Sequence, residues 1–333
     1  MKKALLLVII IASLAVAGLW LQYDDSINRS HITESMGSVV VTIKKGQHLN
    51  QISLTLEQQG VVVNPWFKWL VRIEGAASKI QAGEYQFSPG LTPKEVLAFL
   101  IKGQVNQYAI SIIEGQSFKE LLTSIQRNSA IKSTLPSQTN MLTYIKLLGI
   151  DETHLEGTLL PETYFFIKGT SDVDIIKRAH QAMQVFIRDE WPKRNKKDVI
   201  KSQYDALILA SIVEKETAVG SERPRIAGLF LRRLEIGMKL QTDPTVIYGM
   251  GDNYKGDIRF RDLRKDTPYN TYTRYGLPPT PIAMPGKASI LAVLHPEKTQ
   301  SLYFVSKGNG THIFSNTLKQ HNAAVDKYQR NKK

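Results

Sequence analysis

Leu207-Ile208-Leu209-Ala210-Ser211-Ile212-Val213-Glu214-Lys215-Glu216-Thr217 is apolar on nearly every side until its last turn. A helix without a polar face belongs in the centre of a domain, so this run predicts the helix around which the larger part of the chain folds. A carboxylate entering such a place needs a reason, because an unpaired buried charge is costly. Acid chemistry is one: burial disfavours the ionised form and moves the pKa toward neutrality. At about 100° per residue, Glu214 and Glu216 point roughly 200° apart, so one cleft can hardly use both directly. Glu216 shares its side with Leu209, Ile212 and Val213, which favours it as the proton donor. Glu214 lies near Ala210 and Ser211, where a hydroxyl could hold it ionised as a supporting group. The plain alternative is that both cap a surface helix end.

The next helix should begin at Ser221, with Pro224 in its first turn and Gly237 as its stop. Ile226, Leu229, Phe230 and Leu234 form its apolar stripe; Arg232 and Arg233 are either solvated or turned to an anionic ligand. In Gln241-Thr242-Asp243-Pro244, Asp243 before Pro244 is a helix start, but Gln241 and Thr242 add hydrogen-bonding groups for which a cap has no use. Residues 267–282 then set Tyr269, Asn270, Thr271 and Tyr272 on a proline-stiffened loop. Aromatic faces, amides and hydroxyls are the groups that bind sugars, and loops of this length inside a domain are usually functional. A long structural loop is the other reading. A hairpin is expected across Lys307-Gly308-Asn309-Gly310.

Toward the N-terminus, residues 4–21 are apolar apart from Ser13 and Gly18, with Lys2 and Lys3 before them and Asp24 and Asp25 after. Eighteen helical residues reach about 27 Å, close to a bilayer core of roughly 30 Å. The apolar run continues past Ala17 through Leu19, Trp20 and Leu21, which predicts a retained anchor, residues 1–22, and the flanking charges put its N-terminus in the cytoplasm and the rest outside. The rival is a signal peptide cut after Ala15-Val16-Ala17. Residues 23–37 read as a linker. Three strand-turn-helix units follow, starting near Val39, Glu84 and Ala109; Thr92 with Glu95 and Ser117 with Glu120 form capping boxes in the last two. A helix from Pro65 to Ile73 should carry Trp66, Phe67, Trp69 and Leu70 as core, and residues 130–155 should be helical.

The chain of 333 residues has no cysteine, which excludes disulfides and thiolate metal sites, and its seven histidines show no metal-ligand spacing. The net charge of +13 points to an anionic partner, and for a domain held outside the membrane nucleic acid is the least suitable one.

The runs Glu214-Lys215-Glu216-Thr217, Leu240 to Gly249, Tyr269-Asn270-Thr271-Tyr272, Gly276-Leu277-Pro278-Pro279 and Leu294-His295-Pro296 resemble, in that order, the YceG-like family of endolytic murein transglycosylases. The first unit, Val41 to Leu49 with the helix after it, resembles a LysM module, a family that binds N-acetylglucosamine polymers. The resemblance implies an α+β protein: anchor, linker, a small LysM-like α/β subdomain at 38–105, and a larger catalytic domain at 106–333 built round the buried helix. It implies a lyase that cuts peptidoglycan between N-acetylmuramic acid and N-acetylglucosamine, leaves 1,6-anhydro ends, and limits the length of nascent strands. The family's catalytic glutamate falls on Glu216, with Glu214 supporting and Gln241, Thr242, Asp243, Tyr269, Asn270, Thr271 and Tyr272 binding substrate. No cofactor or metal is called for. The partners are glycan strands, the bacterial inner (plasma) membrane through the N-terminal helix, and peptidoglycan synthases. A non-catalytic wall-binding protein and a water-using muramidase are the alternatives.

Overall fold

The computed structural model describes residues 2–196 and 198–330; the end of the basic tail, expected to be solvated, lies partly outside them. The chain divides into two compact units, one of Met1–Tyr108 with Phe165–Gly169, the other of Ala109–Tyr164 with Thr170–Lys333. Helix and strand are mixed in the α+β manner expected.

The first unit opens with α1 (Lys2–Asn28), whose stretch from Leu5 is long and apolar enough to cross a membrane. Residues 23–28, expected as linker, continue this helix, and Tyr23, Ile27 and Ile32 are buried in the unit's core. The apolar spacing Tyr23, Ile27 gives the end of α1 a face to bury, so the polar composition around it does not make a free tether. β1 (Val39–Ile43) leads through α2 (Leu49–Gln58) and α3 (Asn64–Ile73) to β2 (Gly83–Phe87), which pairs antiparallel with β1 in the register Val41↔Tyr85. α4 (Pro93–Lys102) follows, started by the Thr92–Glu95 capping box. Phe67 and Leu70 of α3 are core, as expected, whereas Trp69 is exposed. β3 (Gln107–Ser111) is shared between the units, as is its partner strand. Within the first unit the buried Glu84 accepts from Lys168 Nζ at 2.7 Å and Tyr108 Oη at 2.6 Å. The lysine bond, first, and the phenol hold its carboxyl below the usual range against the cost of burial.

In the second unit the Ser117–Glu120 box starts α5 (Phe118–Arg127). The following stretch, expected helical, holds only α6 (Met141–Leu148). Before it, Thr134 and Leu135 donate their backbone N–H groups to the buried Asp172 carboxylate at 2.9 and 3.0 Å. Pro136 and the serine and threonine residues around it favour such a turn over a helix. β4 (Thr163–Ile167) pairs with β3 and leads to α7 (Asp172–Glu190).

α8 (Gln203–Glu216) is buried from Ala206 to Val213. α9 (Arg223–Glu235) and α12 (Lys287–Leu294) pack on it, while α10 (Asp243–Met250) and the short α11 (Phe260–Arg264) lie between them in sequence. Each fully buried leucine, isoleucine or valine of α8 contributes roughly 1.5–3 kcal/mol before chain entropy is counted. Its lone serine is satisfied: Ser211 Oγ donates to the Ile208 carbonyl at 2.7 Å and accepts from the Ile282 N–H at 3.0 Å. β5 (Tyr303–Ser306) and β6 (His312–Ser315) form the expected hairpin, and α13 (Leu318–Val325) follows.

Gly228 marks the tightest approach on α9: a Cβ there would stand 2.2 Å from the carbonyl oxygen of Glu297. Gly228→Ala should therefore destabilise the protein by about 1–3 kcal/mol, a penalty typical of overpacking. Thermal unfolding reads it, and an unchanged midpoint would mean that α9 does not rest on the segment after α12.

Candidate active site

Glu216 is the last residue of α8 and lines a cleft of about 480 Å³ together with Ile113, Glu114, Gly115, Glu214 and Arg223. Its Oε1 accepts a short hydrogen bond from Thr242 Oγ1. Burial pushes its carboxyl up to about 7, and the negative charge of Asp243 adds to the shift. The Thr242 hydrogen bond and the positive charges of His312 and Arg233 oppose it. A C-terminal position on α8 also disfavours a negative charge, since the carbonyl end of a helix is the negative end. Glu216 is thus an acid that carries a proton near neutral pH and can still accept stabilisation once it has given the proton away.

Glu214 is placed differently. Arg223 Nη2 donates to its Oε1 at 3.2 Å and the Gly286 N–H to its Oε2 at 3.0 Å. Both oxygens are occupied, which suits a fixed, ionised support. Arg223 and Gly286 do the holding, where the sequence pointed to Ser211; that hydroxyl is used within the core.

Thr242 occupies the N-cap position of α10 but makes no side-chain capping bond. Its hydroxyl goes to Glu216 instead, the use that the sequence left open. The approach is strained: Gln241, with φ 50, is the only non-glycine at positive φ among the described residues. The left-handed conformation costs roughly 1–2 kcal/mol for an L-residue. It is held by Gln241 N–H to the Thr271 carbonyl at 3.2 Å and Thr242 N–H to Thr271 Oγ1 at 3.1 Å. The Gln241 side chain itself is exposed. Asp243, also exposed, accepts from Tyr272 Oη at 2.5 Å, and burial followed by that bond raises the Tyr272 phenol well above its ordinary value.

The structure therefore brings Thr242, Asp243 and Tyr272 to Glu216 and sets Thr271 behind them. Tyr269 and Asn270 are placed otherwise. Tyr269 Oη pairs with Thr280 Oγ1 at 2.9 Å, and its ring stands edge-on to Tyr248 at 4.9 Å. Asn270 is fully buried. Its amide donates to the carbonyls of Leu263 at 3.0 Å and Lys265 at 2.7 Å, while its oxygen accepts from the Tyr272 N–H at 2.8 Å. An amide so occupied shapes the loop and has little left for a ligand.

Arg233 is neither solvated nor turned to a ligand, and the sequence does not point to His312 or Glu156. Arg233 is buried, donating to the carbonyls of Leu240 at 2.5 Å and Leu302 at 2.7 Å, so it ties the strained approach to the base of the hairpin. The signal was there: Arg233 follows Ile226, Leu229 and Phe230 at helical spacing, on the buried stripe. His312 Nδ1 pairs with Glu222 at 2.7 Å, joining the hairpin to the segment after α8. Glu156 is buried and accepts from the Phe118 N–H at 2.9 Å and Tyr248 Oη at 3.0 Å; burial pushes its carboxyl up to about 7. Isolated polar residues in a loop carry no periodicity from which such burial can be read.

The model of the YceG-like family matches residues 41–327. An endolytic murein transglycosylase of Bacillus subtilis (strain 168) is 32% identical, over 95% of this chain and 91% of its own length. One from Streptococcus pneumoniae D39 is 26% identical over 88% of this chain, which spans 59% of that longer protein. The crystal structure of a yceG-like protein from Listeria monocytogenes superposes with a TM-score of 0.54 at 32% identity, over 86% of this chain and 99% of that one.

Asn270→Ala should lower stability by about 1–3 kcal/mol, because it strands buried backbone carbonyls. An unaltered thermal midpoint with reduced turnover would instead return Asn270 to the substrate. Glu156 sets a pH dependence. Its carboxyl is protonated in the folded chain up to about pH 7 but ionises at its ordinary value of 4.5 when unfolded. Stability should therefore fall as pH rises between those values, by on the order of 3 kcal/mol. Denaturation measured at pH 5 and pH 7 should show a smaller fall for Glu156→Gln; equal falls would refute the assignment.

Proposed function

The chain belongs to the YceG-like family, and we infer that it is an endolytic murein transglycosylase, a lyase that cuts peptidoglycan glycan strands internally. The observation that carries the mechanism is a single one: Glu216, an acid of near-neutral pKa, opens onto a cleft and is gripped by Thr242.

One acid serves both steps. Protonated Glu216 donates to the oxygen linking N-acetylmuramic acid to N-acetylglucosamine, and the bond from that oxygen to the muramyl C1 breaks. The carboxylate left behind takes the proton of the muramyl C6 hydroxyl, whose oxygen closes on C1. The product is a 1,6-anhydro end, the proton balance returns Glu216 to its starting form, and no water is consumed. While Glu216 is ionised, the Thr242 hydroxyl and the charges of Arg233 and His312 favour it, and Asp243 favours reprotonation. The Asp243 carboxylate is engaged by Tyr272, so it is a poor second carboxylate for a water-using hydrolase.

In this reading Gln241, Thr242, Asp243 and Tyr272 border the bound strand, while Thr271, Tyr269 and Asn270 hold that border in shape. α1 anchors the enzyme in the bacterial plasma membrane with its N-terminus cytoplasmic and the chain that follows the anchor outside. The first unit, LysM-like in its opening strand and turn, meets the glycan polymer. Cutting strands near the membrane shortens them as they are made, which makes peptidoglycan synthases the fitting neighbours.

Glu216→Gln removes the proton to be donated and the later acceptor. Donation and acceptance each contribute about 10²- to 10⁴-fold, so activity should fall below detection with the fold intact. Glu214→Gln weakens the Arg223 pair; it should cost stability and leave the folded fraction substantially active. Mass analysis of purified glycan strands reads both. Anhydro ends mark the lyase, ends heavier by one water a hydrolase, and no new ends with the unaltered protein a binder. If Glu214→Gln abolishes the anhydro product and Glu216→Gln does not, the roles are reversed.

A further inference from the structure

α1 does not end where its apolar stretch ends. It runs unbroken to Asn28, and Tyr23, Ser26 and Ile27 are already buried in the first unit. At 1.5 Å per residue, Tyr23 lies only about 3 Å beyond Leu21, the last residue of the apolar run. The headgroup layer on each side of a bilayer is roughly 5–8 Å deep. A unit gripping the helix from Tyr23 onward therefore stands against the headgroups, without the spacing that a flexible linker would provide.

The part of that unit next to Tyr23 is α3. The Tyr23 ring lies 6.1 Å from that of Trp66, at the N-terminal end of α3, and 5.6 Å from that of Trp20 on α1 itself. Glu74, which caps the other end of α3, is also within electrostatic reach of Tyr23. α3 thus packs against α1 at the level of Tyr23, with Trp66 in contact with it. Trp66, Trp69 and Ile73 follow one another at i, i+3 and i+7 and share a face of α3. Trp69 is 55% exposed and Ile73 63% exposed, so two large apolar side chains stand together on one open face of α3. Arg72 borders this face, and Lys68 lies one step further round the helix. Tryptophan and tyrosine with lysine and arginine are the side chains that settle at a membrane surface, the rings at headgroup depth and the cations on anionic lipid.

We propose that the Trp66–Trp69–Ile73 face of α3 lies in the headgroup layer of the membrane that α1 spans, so that anchor and helix together fix the first unit on the lipid surface. The proposal rests on α1 being a retained anchor, and the same face offers rings that a sugar polymer could stack on instead. Its occupant is lipid, because ring contacts through the buried Tyr23 join this face to Trp20, which is exposed at the end of the apolar run of α1.

The absence of cysteine makes the test clean, since single labels go where they are placed. Full-length Ile73→Cys and Ile10→Cys variants, each carrying an environment-sensitive fluorophore, are put into nanodiscs containing anionic lipid. Quenchers are attached to the lipid at shallow or deep positions, or dissolved in water as iodide. Ile73 is largely exposed, so its substitution leaves the core alone. The Ile10 label should respond to the deep quencher. The Ile73 label should lose at least about half its emission to the shallow quencher and be shielded from iodide. An Ile73 label open to iodide and indifferent to lipid quenchers, beside a deeply quenched Ile10 label, overturns the proposal while leaving the anchor. An Ile73 label that responds only to added soluble glycan strands overturns it in favour of sugar. An unquenched Ile10 label removes the anchor and the α3 contact with it.

Discussion

The hydrogen bond from Thr242 to Glu216 is the contact on which the rest of the second unit converges. It joins the end of a buried helix to the start of α10, and neither partner could hold it alone. α8 delivers a carboxyl to a place where ionisation is costly, because its apolar surface is buried between α9 and α12. Thr242 reaches that carboxyl only because Gln241 is kept in a left-handed turn. The turn persists because Thr271 takes both adjacent amides and Arg233 takes the carbonyl before it. Strain of about 1–2 kcal/mol at one residue is small beside the core that sustains it.

The same logic explains why so many polar side chains around Glu216 face inward. Asn270 binds three backbone groups of its own loop, and Tyr248 bridges the buried Glu156 to the ring of Tyr269. A cleft for a long polymer has to stay open to solvent. Its walls cannot be held by a sealed core, so their shape is held by side-chain-to-backbone hydrogen bonds instead. A carboxyl positioned to within a fraction of an ångström is what proton transfer to and from a sugar oxygen needs.

How far the sequence speaks for itself depends on periodicity. α8 was legible because it is apolar all round, and the helices after Thr92 and Ser117 because their caps have a fixed spacing. Helical geometry separates the partners of Glu214 and Glu216, but it does not keep them out of one cleft, since both line it. Asp243 is the first residue of α10 and Thr242 its N-cap position, and the Thr242 hydroxyl, one of the groups a helix start does not need, goes to Glu216. The charge of Arg233 suggests a solvated side chain, whereas its spacing continues the buried stripe of Ile226, Leu229 and Phe230, and spacing prevails. Asn270 was assigned to substrate because an amide on an aromatic loop suits sugars, and a sequence does not reveal which carbonyls lie within its reach. Residues 128–140 lack a helical repeat and fold round Asp172, some 40 positions later, which is a non-local event. Spacing alone suggests Trp69 as core; its exposure follows from what α3 is packed against, and no local pattern encodes that.

The central claim is that Glu216 holds its proton near neutral pH because it is buried and keeps its shape through Thr242. Carbon-13 NMR of glutamate side-chain carboxyls, followed against pH with Glu216→Gln used to assign the signal, tests it directly. The account requires the Glu216 signal to titrate at about 7. A Glu216 carboxyl that titrates at the ordinary glutamate value, near 4.5, would contradict it.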